Sequence, residues 1–367
     1  LPLRVSSPGY TPMQTIPDSP ESLTAEWINE ALTASGYLDG SRVVAINHEL
    51  IGTGKMGDNA RYIMQYEGEH DRAPKSLIAK FPAADDQVRA VAGAQGAYYN
   101  EVMFYRHLAA GTRMRTPEIY ASEISEDKTS FVLLMEDLSP AQPGSQLVGE
   151  SRQHAVLALR EAARLAAAYY GKDEIGDRDY VMAAARDDGG AFGQALMEQS
   201  WPGFIDRFGH GLSRDCIAFG ERYVRNYSHF VTRFEGPKTL VHGDFRSENI
   251  LFTADTAATV DWQTVGESSA LTDAAYFLGG SVDIQNRREW ERSLIDEYRN
   301  HLEEEGVSLT AAECWQQYRE FAMHGLMITV LGASFTAPAE RSDRMFLAMI
   351  QRHLQHCVDL DAGEFLP

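Results

Sequence analysis

Hydrophobic and polar positions follow two different periods along the chain. Up to about residue 136 the apolar segments are short and alternate with polar positions, as at Tyr62, Met64 and Tyr66, which is typical of strands. From about residue 151 apolar residues recur every three or four positions, as at Val156 and Leu159, which is typical of helices. We therefore predict an α+β chain with a small N-terminal sheet region and a larger helix-rich C-terminal region.

The same patterns predict the individual elements. Strands are expected at 43–51, 59–66, 75–81, 118–123 and 130–135, with a short helix at 23–37 before them and a helix at 88–109 between the third and fourth strands. Further helices are expected at 151–170, from 273 onward, and at 287–304, 311–331 and 341–360, with one or two more within 201–234. The first of the helices, at 23–37, has Ser22 as its expected N-cap.

The length of the chain and its change of pattern predict two lobes. A chain of 367 residues exceeds the usual size of a single hydrophobic core. The strand-rich part ends at Glu136–Ser139, where we place the boundary. We predict an extended N-terminal arm at 1–22, an N-lobe at 23–138 with a five-stranded sheet, and a C-lobe at 139–367.

Charge and cysteine content limit the kinds of partner and the cellular compartments that fit this chain. The net charge of −20, from 33 basic and 53 acidic residues, repels nucleic acid and anionic membranes. No apolar run is long enough to span a bilayer, and the proline-rich start lacks the profile of a signal peptide. Three widely spaced cysteines give neither a disulfide framework nor a zinc pattern. A reducing cytoplasm fits best, and the oligomeric state stays open.

The candidate chemistry is concentrated in residues 240–263. Asp244 precedes Asn249 by five positions on a loop between two apolar segments, and Asp261 follows Asn249 by twelve positions. Phosphoryl transfer needs such a set: one carboxylate accepts the proton of an attacking hydroxyl, while amide and carboxylate oxygens bind the Mg2+ that bridges nucleotide phosphates. The alternative is two ordinary surface hairpins, because Asp and Asn are common in turns.

Two features of the N-terminal part add to this set. Gly52, Gly54 and Gly57 lie in a turn between two strands, where backbone N–H groups could approach phosphate oxygens. The spacing is not that of a P-loop, and an ordinary hairpin turn is the alternative. Backbone groups of Glu136 and Leu138, at the lobe boundary, could read an adenine ring.

A lysine inside an apolar strand is a further indication of a nucleotide site. Lys80 lies in the apolar segment 75–81, where an ammonium group is costly without an anionic partner. Glu101 lies among large apolar residues of the following helix, which suggests that it points inward. We predict an ion pair between them that directs the lysine towards phosphates. The alternative is a snorkelling lysine and a solvated glutamate.

Taken in order, these residues resemble the aminoglycoside phosphotransferase and choline kinase superfamily, and within it the ecdysteroid-kinase-like branch with its bacterial members. The resemblance covers roughly residues 23 to 355. The matching motifs are Ile78-Ala79-Lys80, Glu101 with Phe104-Tyr105, Leu133-Leu134-Met135-Glu136-Asp137-Leu138, His242-Gly243-Asp244 with Asn249, Asp261-Trp262-Gln263, and Asp273 followed by Tyr276-Phe277-Leu278-Gly279-Gly280-Ser281.

The resemblance implies a bilobal, protein-kinase-like fold that uses ATP and Mg2+. It implies that Asp244 is the catalytic base, that Asn249 and Asp261 are metal ligands, and that Lys80 pairs with Glu101 and contacts the phosphates. Asp273 is expected to hold the catalytic loop by hydrogen bonds. Arg246, two positions after Asp244, carries a charge that could stabilise the transferring phosphoryl group; a surface arginine is the alternative.

Departures from protein kinases point to a small-molecule acceptor. Asp-Trp-Gln replaces Asp-Phe-Gly, and no activation segment ending in Ala-Pro-Glu follows Asp261. The resemblance to the ecdysteroid-kinase-like branch implies phosphorylation of a hydroxyl group on a neutral or lipophilic alcohol, such as a sterol-like or hydroxyacyl compound. An aminoglycoside kinase and a nucleotide-binding pseudokinase are the alternatives, and a protein kinase is disfavoured. Candidate residues lining the acceptor pocket, each also a plausible core residue, are Trp201, Phe204, Tyr227, Trp262, His324 and Phe335.

Overall fold

The computed structural model describes residues 15–38, 40–52, 56–68, 72–183 and 188–367. Contacts within the chain divide it into two compact units. The first unit contains the residues up to Thr112, Thr116–Pro140 and the short segment Asp261–Thr264. The second unit contains Arg113–Arg115, Ala141–Val260 and Val265–Pro367. Each unit is described by itself.

The alternating segments of the first unit form one antiparallel sheet. Its five strands lie in the order β1-β2-β3-β5-β4, so β3 is central and β1 and β4 lie at the edges. The strands are β1 Arg42–Ile51, β2 Gly57–Glu67, β3 Ser76–Pro82, β4 Ile119–Ile124 and β5 Phe131–Glu136. The five predicted strands are confirmed, and β3 carries Lys80 opposite Asn59 on one side and Leu133 on the other.

A helix at Ala25–Ala34 covers one part of this sheet. Its apolar residues, among them Trp27 and Ile28, belong to a buried cluster with Val43, Tyr62 and Leu77 of the strands. The predicted N-cap is wrong: the hydroxyl of Thr24, and not that of Ser22, accepts the capping hydrogen bond from the Trp27 N–H. Ser22 instead closes a short turn, since its hydroxyl accepts from the N–H groups of Asp18 and Ser19.

The helix predicted at 88–109 is two helices, Asp86–Ala94 and Ala97–His107. The chain turns at Gly96, whose φ of 74° lies in the left-handed region that only glycine adopts at little cost. The apolar spacing continues through this point, so the pattern alone did not reveal the break. The turn allows the second helix to take its own direction, with Glu101 buried on its inner face.

The second unit is mainly helical. Its helices are Arg152–Tyr169, Ala191–Phe208, Arg214–Arg225, Tyr227–Thr232, Thr272–Ser281, Ile284–Glu304, Ala311–Phe321, His324–Ser334 and Glu340–Asp359. The single helix predicted at 311–331 is wrong, because the chain turns at Ala322–Met323 and begins a new helix at His324. The new helix packs against Ala191–Phe208, Thr272–Ser281 and Glu340–Asp359.

Two small sheets hold the central loop of this unit. Strand β7, Thr239–Val241, pairs with β10, Gly266–Ser268. Strand β8, Ile250–Phe252, lies between β6, Gln142–Pro143, and β9, Ala257–Thr259. The loop from β7 to β8 therefore leaves one anchored strand and enters another, and its last turn is a 3-10 helix at Ser247–Asn249.

None of the helices in the described part of the chain combines the length and the apolar character that crossing a membrane requires. The three cysteines, Cys216, Cys314 and Cys357, are buried free thiols. The cellular location stays a prediction.

Candidate active site

The loop between β7 and β8 presents a carboxylate that is held on both of its oxygens. The Tyr276 hydroxyl donates to Asp244 Oδ1 over 2.7 Å. Arg246 Nε donates to Asp244 Oδ2 over 3.2 Å, and Asn249 Nδ2 donates to the same oxygen over 3.0 Å. Three donors from one loop and one helix thus define the plane of a carboxylate that is only partly exposed. Such a group is oriented in advance, as a general base must be.

The backbone of this loop is anchored by a second, buried carboxylate. Asp273 Oδ2 accepts from the His242 N–H over 2.7 Å, and Oδ1 accepts from the Gly243 N–H over 3.1 Å. These are the hydrogen bonds expected of Asp273. Burial raises the pKa of the Asp273 carboxyl group, and the neighbouring His242 opposes that rise.

Two histidines complete the anchoring of the loop. His242 Nδ1 accepts from the Asp244 N–H over 3.2 Å, which assigns the ring proton to Nε2, and Nε2 lies 3.0 Å from the Val260 carbonyl oxygen. His324 Nε2 lies 2.7 Å from the carbonyl oxygen of Gly243, whose φ of 84° makes the tight turn before Asp244. The direction of the Asp244 side chain therefore depends on both rings.

Asn249 is suited to bind a metal ion. Its Nδ2 donates to the main-chain oxygen of Asp244 over 2.9 Å as well as to the side chain, so the amide nitrogen is turned towards Asp244. The amide oxygen is consequently turned the other way. An amide oxygen is a hard donor of the kind that Mg2+ accepts. No group of three or more acidic, histidine or cysteine ligands occurs in the described ranges.

Arg246 is engaged by two carboxylates of its own loop. Besides Asp244 it contacts Glu248, with Arg246 Nη1 lying 2.7 Å from Glu248 Oε2. Burial lowers the pKa of the guanidinium group, but the charges of Asp244 and Glu248 outweigh it, so the pKa is raised. The side chain is therefore no free surface arginine. Its role towards a phosphoryl group stays a prediction.

A separate polar cluster lies within the first unit. The ammonium group of Lys80 lies 2.7 Å from Glu101 Oε2 and 2.9 Å from Asp261 Oδ1. The ion pair predicted between Lys80 and Glu101 is therefore present. Burial lowers the pKa of Lys80, but the two carboxylates raise it by more, so the group stays charged. Burial raises the pKa of Glu101, and Lys80 opposes that rise.

The segment that carries Asp261 is fixed by the helix Ala97–His107. The Trp262 ring stacks on Phe104 with centroids 3.6 Å apart and planes 6° apart. The Trp262 N–H donates to Glu101 Oε1 over 3.4 Å, and Asn100 Nδ2 donates to the Gln263 carbonyl over 3.2 Å. Asp261 itself has a φ of 69°, a conformation that aspartate tolerates better than most residues. Its side chain is partly exposed.

The remaining predicted nucleotide contacts lie at strand ends of the first unit. Gly52 follows β1 with a φ of 74°, Gly57 begins β2, and Gly54 lies outside the described residues. The Glu136 N–H donates to the Glu118 carbonyl over 2.8 Å, so this backbone donor already has an acceptor within the first unit. Leu138 follows β5 and is partly exposed. The contacts of these residues with a nucleotide stay predictions. The binding of magnesium by Asn249 and Asp261 also stays a prediction.

Most of the aromatic residues considered for an acceptor pocket are core residues. Trp201, Phe204 and Tyr227 are buried in the second unit, and Trp262 is buried in the first. Trp201 also fills the space beside Gly220, where an added Cβ would lie 2.3 Å from the ring. His324 contacts the catalytic loop, and Phe335 is 66 % exposed. Of the six, only these last two are not buried.

Tyr276 was not predicted as a partner of Asp244. Tyr276 follows Asp273 by three positions on the helix Thr272–Ser281, so both side chains lie on the same face of that helix. Because Asp273 was expected to hold the loop, this spacing was a signal that could have found Tyr276.

Solved structures with a similar fold are small-molecule phosphotransferases. A complex of gentamicin with APH(2'')-IIa is 15% identical, with 93% of this chain and 97% of that chain covered and a TM-score of 0.50. A GDP complex of a mutant aminoglycoside 2'-phosphotransferase IIIa is 11% identical, with 93% and 99% covered and a TM-score of 0.51. A choline kinase from Cryptosporidium parvum Iowa II is 10% identical, with 88% and 92% covered and a TM-score of 0.50.

These identities are low, so the structural matches establish the fold alone: it is the protein-kinase-like fold predicted from the sequence. Among curated proteins, no significant match is found. A family model does match: residues 56–310, which are most of the chain, fit the ecdysteroid kinase-like family. The chain belongs to the ecdysteroid kinase-like family and is a small-molecule kinase with a hydroxyl group as acceptor.

Proposed function

We propose that this kinase transfers the γ-phosphoryl group of ATP to the hydroxyl group of a small, neutral or apolar alcohol, with Asp244 as the base. The acceptor oxygen attacks the γ-phosphorus, its proton passes to Asp244, and the bond to the β-phosphate oxygen breaks to release ADP. The observation that supports this proposal most directly is the carboxylate of Asp244, held on one oxygen by Tyr276 and on the other by Asn249 and Arg246.

The residues proposed for the nucleotide are Lys80, Asp261 and Asn249. Lys80 is a buried, charged ammonium group between two carboxylates, which suits a contact with phosphate oxygens. Asp261 and Asn249 each offer an oxygen donor of the kind that Mg2+ accepts. A bound Mg2+ would neutralise charge on the phosphates as the phosphoryl group departs. A structure with a similar fold was solved with GDP. The assay should therefore compare ATP with GTP.

The character of the helix His324–Ser334 favours an apolar acceptor. Its inner face is buried and consists of Gly325, Leu326, Thr329, Val330 and Ala333. Its other face is partly exposed and is apolar as well, with Met327, Ile328 and Leu331, followed by the exposed Phe335. We call Met327, Ile328, Leu331 and Phe335 the apolar stripe.

The position of the apolar stripe connects it with the catalytic loop. Its helix begins at His324, and the ring of His324 contacts the carbonyl oxygen of Gly243, directly before Asp244. A solvent-facing helix surface normally carries charged residues, and apolar patches are typical of binding surfaces, ligand-binding grooves among them. A polycationic aminoglycoside would need carboxylates here, and the stripe contains none. The stripe therefore supports an acceptor with an apolar body and a hydroxyl group.

The proposal is tested by release of ADP from ATP, and in separate assays of GDP from GTP, with Mg2+ and a panel of alcohols. The panel contains sterols, hydroxyacyl compounds, choline and kanamycin. ADP release that depends on a sterol or hydroxyacyl compound supports the proposal, whereas release with kanamycin alone favours an aminoglycoside kinase. Nucleotide binding without ADP release for every alcohol contradicts it and favours a pseudokinase.

The role of Asp244 is tested by Asp244→Asn with Asp255→Asn as the matched control. Asp255 lies on an exposed turn of the same unit. Loss of a general base lowers kcat by roughly 100- to 10,000-fold, and the affinity for ATP should stay nearly unchanged. Asp255→Asn should behave as wild type. A fully active Asp244→Asn enzyme would remove Asp244 as the base.

A further inference from the structure

Tyr276 links Asp244 to an aromatic group deeper in the second unit. Its hydroxyl donates to Asp244 Oδ1 over 2.7 Å. Its ring stacks on His353 with centroids 5.2 Å apart and planes 4° apart, and it meets His324 edge-on at 5.5 Å. Tyr276 and His353 are both completely buried. The position of the hydroxyl is thus determined by the rings on either side of the phenol.

His353 lies in a cradle made by three glycines. A Cβ added to Gly325 would lie 2.2 Å from His353 Cε1, and one added to Gly280 would lie 2.5 Å from Nε2. A Cβ added to Gly279 would lie 3.1 Å from Nδ1. Glycine lowers the stability of a helix interior, and these glycines belong to two different helices. A side chain at Gly280 or Gly325 would therefore collide with the His353 ring beside Tyr276.

The imidazole of His353 makes no polar contact. Neither of its ring nitrogens has a hydrogen-bond partner among the described residues. Burial lowers the pKa of His353 to about 3, so the ring is neutral at physiological pH. A buried, unpaired polar group is unfavourable, and a residue that serves only to fill the core would be apolar. What the ring contributes is its flat face against Tyr276.

The phenol of Tyr276 can only donate to Asp244. Burial and the Asp244 carboxylate together raise the pKa of the Tyr276 hydroxyl well above its ordinary value. The hydroxyl therefore keeps its proton and directs it to Oδ1. Rotation of the Asp244 carboxylate would break this hydrogen bond as well as those from Asn249 and Arg246.

We propose that Tyr276 and His353 are positioning residues that act in series on Asp244: His353 fixes the plane of the phenol, and the phenol fixes the carboxylate. This inference rests on the proposed function, because it assigns to Asp244 the role of base. It assigns no contact with substrate to either residue. A one-ångström displacement of a catalytic group lowers a rate far more than it changes binding. We therefore expect substitutions of Tyr276 and His353 to lower kcat.

The first test is Tyr276→Phe, which keeps the ring and removes the hydroxyl. The alcohol used is the one that wild-type enzyme phosphorylates in the panel. We expect kcat to fall roughly 10- to 100-fold, the effect of losing a hydrogen bond to a charged group, with the KM for ATP changed by less than about twofold. In an Asp244→Asn background the same substitution should cause no further loss of kcat, because the residue it positions is already gone.

The matched control is Tyr298→Phe. Tyr298 is a completely buried tyrosine of the same unit whose hydroxyl donates to a main-chain carbonyl, that of Ala270. The same atom is removed from the same kind of surrounding, but away from the Asp244 carboxylate. We expect kcat within about twofold of wild type for this variant. An equal fall of kcat in Tyr298→Phe and Tyr276→Phe would show a general effect of core packing and would overturn the inference.

The second test is His353→Ala, alone and together with Tyr276→Phe. His353→Ala should lower kcat without raising the KM for ATP. The double variant should be no slower than Tyr276→Phe alone, because His353 acts through the Tyr276 hydroxyl. Losses of kcat that multiply in the double variant would contradict action in series. Thermal unfolding shows whether Tyr276→Phe folds; if it does not, His353→Ala is combined with Asp244→Asn instead, where it should cause no further loss of kcat.

The two levels of the proposal fail in different ways. If wild-type enzyme releases no ADP with any alcohol, the proposed function fails, and the inference fails with it. If wild type is active and kcat of Tyr276→Phe stays within about twofold of it, the positioning role alone is wrong. If wild type is active and kcat falls in the Asp244, Tyr276 and His353 variants but not in Tyr298→Phe, both are supported.

Discussion

Lys80 Nζ lies 2.9 Å from Asp261 Oδ1, although 181 positions separate the two residues in the chain. The same ammonium group pairs with Glu101. One buried cation thus neutralises two carboxylates of the first unit. Each of the two would be left with an uncompensated charge if the lysine were lost.

Lys80→Met should therefore destabilise the protein as well as inactivate it. Removing one partner from a buried ion pair costs roughly 3–5 kcal/mol of unfolding free energy. Because burial raises the pKa of Glu101, and the loss of Lys80 removes the group that opposes this rise, the folded variant takes up a proton more readily than the unfolded chain. The stability difference from wild type should shrink as the pH is lowered. Urea unfolding at pH 8 and pH 6 measures it.

Lys75→Met is the control for this variant, since Lys75 is exposed beside the same strand. It should unfold with wild-type stability and retain ADP release. Equal stability of Lys80→Met and Lys75→Met would show that the ion pair contributes little to folding. Full ADP release by Lys80→Met would remove the lysine from the nucleotide site.

Asp261→Ala should remove the dependence of nucleotide binding on magnesium. Glu101 continues to pair with Lys80 in this variant, so folding should be largely preserved. Titration of a fluorescent ATP analogue with and without Mg2+ separates the metal effect from nucleotide affinity. Asp86→Ala, on an exposed helix turn of the same unit, is the control. A metal-dependent affinity like that of wild type would disprove the assignment of Asp261 as a ligand.

Local chemistry made the Lys80–Glu101 pair predictable from the sequence. A lysine within an apolar strand and a glutamate within an apolar helix face each need a partner of opposite charge, and the pair satisfies both. The strands were predictable for a similar reason, because their alternation reflects burial on one face. The break at Gly96 was not, since glycine also occurs inside helices and the apolar spacing continues across it.

The contact of the Tyr276 ring with His353 was beyond prediction for another reason. It depends on how the helices Thr272–Ser281 and Glu340–Asp359 pack, which no local pattern encodes. The same holds for the cradle of Gly279, Gly280 and Gly325, whose residues look like ordinary helix positions until His353 is placed against them.

Ile328→Glu should weaken binding of an apolar acceptor and leave ATP unaffected. Ile328 lies in the middle of the apolar stripe and is only partly buried, so the protein should tolerate the charge. Loss of one buried isoleucine contact corresponds to about 1.5–3 kcal/mol, which raises the KM for the acceptor roughly 10- to 100-fold. The measurement is the KM for the acceptor at saturating ATP.

Phe192→Glu is the control for the stripe, because Phe192 is an exposed apolar residue of another helix in the same unit. Its acceptor KM should equal that of wild type. If Ile328→Glu also leaves the acceptor KM unchanged while Asp244 variants are inactive, the acceptor binds elsewhere, and the case for an apolar substrate loses its main support.

The buried histidine behind Tyr276 should make the protein sensitive to mild acid. Burial lowers the pKa of His353 to about 3 in the folded state, whereas an unfolded chain protonates its histidines near about 6.5. Between these values the unfolded state binds more protons, so stability falls as the pH drops below about 6.5. At pH 5 the contribution of His353 to this loss is about 2 kcal/mol relative to pH 7. The glutamine of the His353→Gln variant cannot titrate. The unfolding free energy of this variant should therefore fall less between pH 7 and pH 5 than that of wild type. The lowered pKa of His356 leaves part of the pH dependence in place. The measurement is urea unfolding of both proteins at the two pH values. Equal losses of unfolding free energy in the two proteins would mean that His353 is not buried in its neutral form.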